Sequence, residues 1–253
     1  MADFVRLGII GDWENPYKTM RFETEANIIR SLGKIVENGH LVKGYKPVYW
    51  SVVGASALAE AEVEYQDKVS LSIDVRYQVL DQQAWNQAFG VVTDLPTSVV
   101  IWTTTPWTLP SSQAVSMHGE FDYVLVQVND ECQVFAKDLV ESAMERYGID
   151  DFKILGEAKG QVLENLSLQH PFYDERQVPV ILGDHVTTEA GTGSVHTSPD
   201  HGVDDFNVGR AYGIGTLNLV DDNGVFVDAA GEFSGAHVYK VDDQVVAALE
   251  DHG

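Results

Sequence analysis

The strongest constraint on how this chain folds is a succession of short strand signals, beginning at Thr97, that helices interrupt only irregularly. "TSVVIWTTT", "DYVLVQVNDECQVFA", "VPVILG", "TGSVHTS" and "GTLNLV" are rich in β-branched and aromatic residues and are bounded by turn formers. Asn129 and Asp130 stand at the expected hairpin turn of the second segment. "KDLVESAMERYG" sets Leu139, Val140, Ala143, Met144 and Tyr147 on one helical side and stops at Gly148. "VDDQVVAALEDHG" offers Asp242 as the N-cap of a last helix. A doubly wound sheet needs strand and helix in regular alternation, and that alternation is missing. The expectation is an α+β, β-rich chain with a closed or nearly closed β-barrel core and peripheral helices.

Before Thr97 the pattern is mixed. "TEANIIRSLGKIVENG" places Ile28, Leu32, Ile35 and Val36 at helical spacing and ends on Asn38 and Gly39. "AEAEVEYQ" alternates Ala61, Val63 and Tyr65 with Glu60, Glu62 and Glu64, and "LSIDVRYQV" continues the alternation, so two paired strands joined through "DKVS" are expected. No internal repeat or low-complexity linker divides the chain. Residues 1–45 read as an N-terminal helical segment and 46–253 as the main domain, continuous with it.

Charge and cysteine content narrow the function classes. With 39 acidic against 16 basic residues the net charge is −23, so the mean field repels nucleic acid and any such partner must be held locally. The single cysteine, Cys132, forms no internal disulfide and no structural zinc site by itself. The absence of a long apolar run or signal-peptide pattern gives the expectation of a soluble, cytoplasmic protein with no membrane contact.

Two stretches carry candidate chemistry. In "GTGSVHTSPDHGVDD", Gly191 to Asp205, Pro199 ends a strand that carries His196, and a helix follows with Asp204 and Asp205 in its first turn. Phe206, Gly209 and Tyr212 share one side of that helix, and Gly213 caps it. The blandest account is a satisfied turn with a core histidine. A metal account takes His196, His201, Asp200 and Asp205, with Asp204 in reserve, although the spacing matches no established ligand motif. A nucleophile account takes Ser194 and His196, but "GTGSV" is not a Gly-x-Ser-x-Gly elbow.

The second stretch, "VVIWTTTPWTLP", places Thr103, Thr104, Thr105 and Thr108 around a strand that Pro106 terminates. Where a ladder stops, backbone N–H groups and hydroxyls are free to meet a carbonyl oxygen or a ribose.

"WTTTPWTLP" together with "GTGSVHTSPDHGVDDF", "ALAEAEVEY" and "ILGDHVTTEAGTGSVHT" resembles the editing domain of isoleucyl-tRNA synthetases, the insertion called connective polypeptide 1. The resemblance runs from about Asp3 to the C-terminus. Valyl and leucyl relatives typically carry an arginine after two threonines, where this chain has Thr105. No His-x-Gly-His or Lys-Met-Ser-Lys-Ser type signature occurs. The resemblance therefore implies an editing module that lacks the aminoacylation site, with residues 1–45 as the junction and helical segment of the parent insertion.

It further implies hydrolysis of the ester of mischarged Val-tRNA(Ile), and of valyl-adenylate. Asp205 would hold the substrate α-ammonium, and His196 would shape the side-chain pocket against isoleucine. Thr103, Thr104, Thr105 and Thr108 would line the pocket and meet the terminal adenosine, with Thr104 and Asp205 in the catalytic role. The implied partners are the tRNA(Ile) 3′ end, valyl-adenylate and the parent's catalytic core. No cofactor is implied, and no metal: Ser51 and Gly54 stand where relatives often carry a Cys-x-x-Cys pair. Ser112 replaces a common asparagine. Two alternatives stay open: a module that binds aminoacyl-adenosine without turnover, and a metal-dependent hydrolase built on His196, His201 and Asp205.

Overall fold

In the computed structural model, which describes residues 1–252, the chain forms two compact units, Met1–Tyr45 and Lys46–Gly253. The first unit contains α1 (Ala2–Arg6) and α2 (Phe22–Glu37). The second is the helix expected from the Ile28, Leu32, Ile35 and Val36 spacing. It gives way at Asn38, and Gly39 follows at φ +74°. None of its residues is buried within the unit.

The second unit begins with a small hairpin, β1 (Tyr49–Ser51) against β2 (Ser56–Leu58). The "AEAEVEYQ" segment that follows is not the expected strand. Glu60–Glu62 form a 3₁₀ turn in which the Ala59 N–H donates to the Glu62 carboxylate at 2.8 Å, and Tyr65 is exposed. Alternation alone makes a strand only where one face has a core to meet, and no core lies beneath this segment. The first strand of the main sheet is instead β3 (Ile73–Gln78), which pairs antiparallel with a later strand.

From there the elements run α3 (Gln82–Phe89), β4 (Thr97–Thr103), β5 (Ala114–Met117), β6 (Asp122–Val128), β7 (Glu131–Ala136), α4 (Val140–Tyr147) and β8 (Lys153–Lys159). They continue as α5 (Gly160–Leu163), β9 (Ser167–Gln169), β10 (Gln177–Leu182), β11 (Ser194–Thr197), α6 (Val203–Ala211) and α7 (Asp242–His252). Helix α3 buries Trp85 and Phe89, four residues apart on one face. The Asp81 side chain caps it by accepting from the Ala84 N–H at 3.0 Å, and Gly90 closes it in the left-handed region. "GTLNLV" is extended and buries Leu219, but it contributes only an isolated bridge from Val220 to Phe226.

The larger strands form two open sheets, ordered β3-β4-β7-β6-β8 and β11-β5-β10-β9. The β-rich α+β class therefore holds, but the expected barrel does not form. A β-bridge from Val79 to Leu168 joins the two sheets at one end, and β11 packs beside β4. The far edge, β8, alternates Lys153, Glu157 and Lys159 into solvent and follows a register shift at Leu125/Val126. A charged, bulged edge of this kind terminates pairing instead of recruiting another strand.

Side-chain alternation in β4 explains the core. Val99 and Ile101 enter the main cluster with Tyr77, Leu125 and Val134, whereas Val100 points to a smaller cluster with Val124, Val126, Phe135 and Met144 of α4. Period two then carries Thr103 to the same face as Ile101, where it is buried. Among the described residues no helix is long and apolar enough to cross a membrane.

Gly193 sits at the entry to β11 with φ +80°, and a Cβ there would collide with the Ala136 Cβ. Gly213, after α6, has φ +71°, and a methyl group placed on it would meet nothing within 4 Å. Gly213→Ala should therefore meet only the left-handed penalty of about 1 kcal/mol. Gly193→Ala should add an overpacking cost of about 1–3 kcal/mol. Urea midpoints of the two variants measure the difference, and equal losses would show that the contact with Ala136 is not what requires Gly193.

Candidate functional site

Strand β4 ends because Pro106 cannot extend the ladder, and Pro106–Ser111 fold into a 3₁₀ turn with Pro106 at its start. The threonines organise this transition. The Thr103 hydroxyl accepts from the Thr105 N–H at 3.1 Å and lies 3.3 Å from the Thr105 hydroxyl. The Thr108 hydroxyl donates to the Thr105 carbonyl at 2.8 Å, and the two side-chain oxygens are 3.4 Å apart. Thr104 is exposed, and its hydroxyl has no hydrogen-bond partner among the described residues.

Strand β11 brings the second stretch to the same place. It pairs with β5, His196 opposite Val115, and it packs beside β4. The buried His196 ring lies with Nε2 3.2 Å from the Thr108 hydroxyl and Nδ1 3.3 Å from the Ser198 hydroxyl. Ser198 also donates to the Thr108 carbonyl at 3.0 Å. Its backbone N–H donates to Asp205 Oδ2 at 2.7 Å, which fastens the first turn of α6 to the end of β11. The two stretches thus share one continuous set of hydrogen bonds. Gly209 completes the crossing: a Cβ there would stand 2.8 Å from the Pro199 ring, so the helix lies directly on the residue that ends the strand.

Proton counting limits what His196 can bond. The hydroxyl protons of Thr108 and Ser198 go to the Thr105 and Thr108 carbonyls, so both oxygens face the ring as acceptors, and a neutral ring with one N–H donates to one of them. Burial, with the nearby His201 adding to it, lowers the His196 pKa to about 4. The ring is therefore neutral near pH 7. Both ring nitrogens lie against hydroxyl oxygens and the ring is buried, so it is placed as a packed surface and not as a base open to solvent.

Asp205 is different. Burial raises its pKa, opposed by the Ser198 N–H and by His185, while Asp204 reinforces the rise. Oδ2 is taken by Ser198, and Oδ1 has no partner among the described residues. A half-buried carboxylate with one free oxygen is suited to an ammonium group, which would restore its preference for the ionised form.

The alternative readings fare less well. The Ser194 hydroxyl is buried without a partner among the described residues, and the His196 nitrogens face Thr108 and Ser198 instead, so Ser194 and His196 do not pair. His201 turns Nε2 to the Ser111 hydroxyl at 3.1 Å and stands edge-on to Trp107, with ring centroids 4.9 Å apart. Among the described residues no three His, Cys, Asp or Glu side chains gather as a ligand set, so His196, His201, Asp200 and Asp205 do not converge on an ion. Ser198 is the member of the network that the sequence left unmarked; a serine before a proline has no distinguishing spacing.

A groove of about 500 Å³ is lined by Ile73, Arg76, His170, Asp174, Leu249 and His252 among others and includes none of the expected site residues. Volume alone would place the function there. The hydrogen-bonded convergence of His196, Asp205 and the threonines is the stronger indication, because a small sieve needs little volume and much order.

The family model of class I tRNA synthetases (I, L, M and V) matches residues 1–244. The isoleucine–tRNA ligase of Marinomonas sp. (strain MWYL1) is 67% identical over 252 residues, covering 98% of this chain and 27% of that protein. That of Saccharophagus degradans is 59% identical, covering 99% of this chain and 27% of that protein. The chain thus spans about a quarter of the length of these relatives. Among solved structures, the editing domain of the P. knowlesi cytosolic leucyl-tRNA synthetase superposes with a TM-score of 0.56 at 10% identity, covering 75% of this chain and 98% of that one. At that identity the likeness concerns the fold.

Burial holds His170 near pKa 3 and His196 and His201 near 4, well below the ordinary 6.5. Between about pH 4 and 6.5 the unfolded chain binds protons at these positions and the folded chain does not. Stability should therefore rise with pH across that window, by up to about 1.4 kcal/mol per pH unit for each histidine. The raised carboxyls of Asp200 and Asp205 act in the opposite sense. Denaturant titrations from pH 4.5 to 7 should show the rise, and His196→Gln should flatten it; an unchanged slope would contradict a buried, neutral His196.

Proposed function

The chain belongs to the class I tRNA synthetase family, and from that premise we propose that residues 46–253 form an editing domain that hydrolyses the ester of valine mischarged on tRNA(Ile), and of valyl-adenylate. Residues 1–45 would form the junction to the parent's catalytic core. The observation that carries the reading is the hydrogen-bonded meeting of the threonine turn with His196 and Asp205. The family match, the identity to isoleucine–tRNA ligases and the editing-domain fold support it.

The chemistry follows from the geometry. Asp205 Oδ1 receives the α-ammonium of the aminoacyl group, which fixes the ester beside the threonines. The exposed Thr104 hydroxyl and the N–H groups released where β4 ends are the candidates to orient water and to stabilise the tetrahedral oxyanion. The neutral His196 and Thr108 form the wall against which the amino-acid side chain rests. Synthetic sites gain only about 1–3 kcal/mol from one methylene, isoleucine against valine being the standard illustration, so a second pocket that excludes the larger side chain is needed. A buried ring held between the Thr108 and Ser198 side chains does not yield easily to an extra methylene. The terminal adenosine and the parent's catalytic core are the partners this assignment requires, and cytoplasmic location follows from the substrate.

Incubation of the chain with Val-tRNA(Ile) and Ile-tRNA(Ile) tests the reading. Valine should be released faster than by spontaneous hydrolysis, and isoleucine should not. Asp205→Asn keeps an oxygen for the Ser198 N–H but removes the charge, and should slow release by about thirtyfold or more, the equivalent of about 2 kcal/mol for a partly buried charge pair. His196→Ala should admit isoleucine and reduce discrimination by roughly tenfold. Release no faster than in buffer, or discrimination untouched by His196→Ala, would count against the assignment.

A further inference from the structure

The Pro106–Ser111 turn is held at its C-terminal carbonyls by two side chains that the editing roles do not use. Arg176 donates from Nη1 to the Pro110 carbonyl at 2.6 Å, and His170 lies with Nε2 3.2 Å from the Leu109 carbonyl. His170 Nδ1 accepts from the Phe172 N–H at 3.1 Å, so the hydrogen is on Nε2 and the ring is a fixed donor to Leu109. Arg176 stacks over the Tyr173 ring at 4.4 Å, and its own backbone is tied to Tyr173 and His170. In a chain with 39 acidic residues, this half-buried guanidinium has no carboxylate within ion-pair distance among the described residues. It is directed at a carbonyl instead.

The Leu109 carbonyl accepts from the Ser112 N–H at 2.9 Å and faces the imidazole as well, whereas the Pro110 carbonyl, past the last such bond, takes the cation. The adjacent residue, Thr108, makes the contact with His196. We propose that Arg176, assisted by His170, is a positioning residue: by fixing Leu109 and Pro110 it sets the Thr108–His196 contact, and through it the separation of valine from isoleucine. The selectivity half of this proposal rests on the editing reading; the Thr108–His196 half does not, and can be read without any substrate.

The test uses the whole chain as Arg176→Met, which keeps the stem and removes the donors, and as Arg176→Lys, which keeps a charged donor. Histidine-selective ¹⁵N spectra, with the His196 signals assigned by His196→Gln, report the ring's contacts with Thr108 and Ser198; near-ultraviolet dichroism checks the fold. In folded Arg176→Met the His196 ring ¹⁵N resonances and N–H exchange should move, and Arg176→Lys should restore them in part. The Val-to-Ile deacylation ratio should fall roughly tenfold, within the hundredfold that an ångström of misplacement can produce. If Arg176→Met does not fold, Arg176→Gln takes its place, with a shift expected in the same direction. His196 signals that stay unchanged in a folded variant overturn the positioning role, whatever the deacylation assay gives. A shifted His196 with no deacylation even by the unsubstituted chain sinks the editing reading and leaves the positioning role standing, and a shifted His196 with an intact ratio overturns the link to selectivity.

Discussion

Everything in this site depends on a single serine that bonds in two directions. Ser198 gives its backbone N–H to Asp205 and its hydroxyl to the Thr108 carbonyl, with the His196 ring alongside. Among the described residues it is the one that bonds both the start of α6 and the turn after β4 from the end of β11, reinforced by the Gln113–Thr197 and His201–Ser111 bonds. A buried N–H that donates to a carboxylate is stronger than a neutral bond, and it is costly to leave unmade. The α6 crossing is therefore locked by the same group that would anchor a substrate cation, which ties the order of the site to the order of the fold.

The electrostatics of the chain fit this division of labour. A net charge of −23 cannot attract a polynucleotide through the mean field, so recognition must come from short-range groups. The groups gathered here are neutral hydroxyls, a neutral imidazole and one carboxylate, which suit an ammonium, an ester and a ribose more than a phosphate. Burial lowers the histidine pKa values and raises that of Asp205, and both changes reduce fixed charge in the empty site. An arriving ammonium then meets a carboxylate whose ionised form it favours.

Much of this was legible in the sequence because the signals were local. Pro106 and Pro199 end strands, Gly148 and Gly213 end helices, and Asn129 and Asp130 turn the β6–β7 hairpin, each for a backbone reason that acts within a few residues. The barrel was misread because closure is decided by sheet edges far apart in sequence, and the charged β8 edge has no local mark that distinguishes it from an ordinary solvent-facing strand. "AEAEVEYQ" failed for a related reason, since its alternation is real but no core lies beneath it. Thr103, Thr108, His196 and Asp205 come together as the motifs implied, whereas Ser198 and the Arg176 and His170 contacts come from pairings across dozens of residues that no spacing reveals.

The proton inventory carries the last step. With both His196 nitrogens packed against hydroxyl oxygens and Ser194 unpaired, the site holds neither an activated nucleophile nor an imidazole base open to solvent. Hydrolysis in such a place cannot rest on strong proton transfer by the protein. It must rest on holding ester, water and oxyanion in register, a contribution that vanishes when the register loosens. Size exclusion makes the same demand, because a pocket that relaxes by one methylene no longer discriminates. Rigidity is thus the shared requirement of rate and selectivity, and this explains why so many groups here hold one another: glycine-permitted close approach at Gly193 and Gly209, donors on the turn carbonyls, and a neutral ring fixed between Thr108 and Ser198.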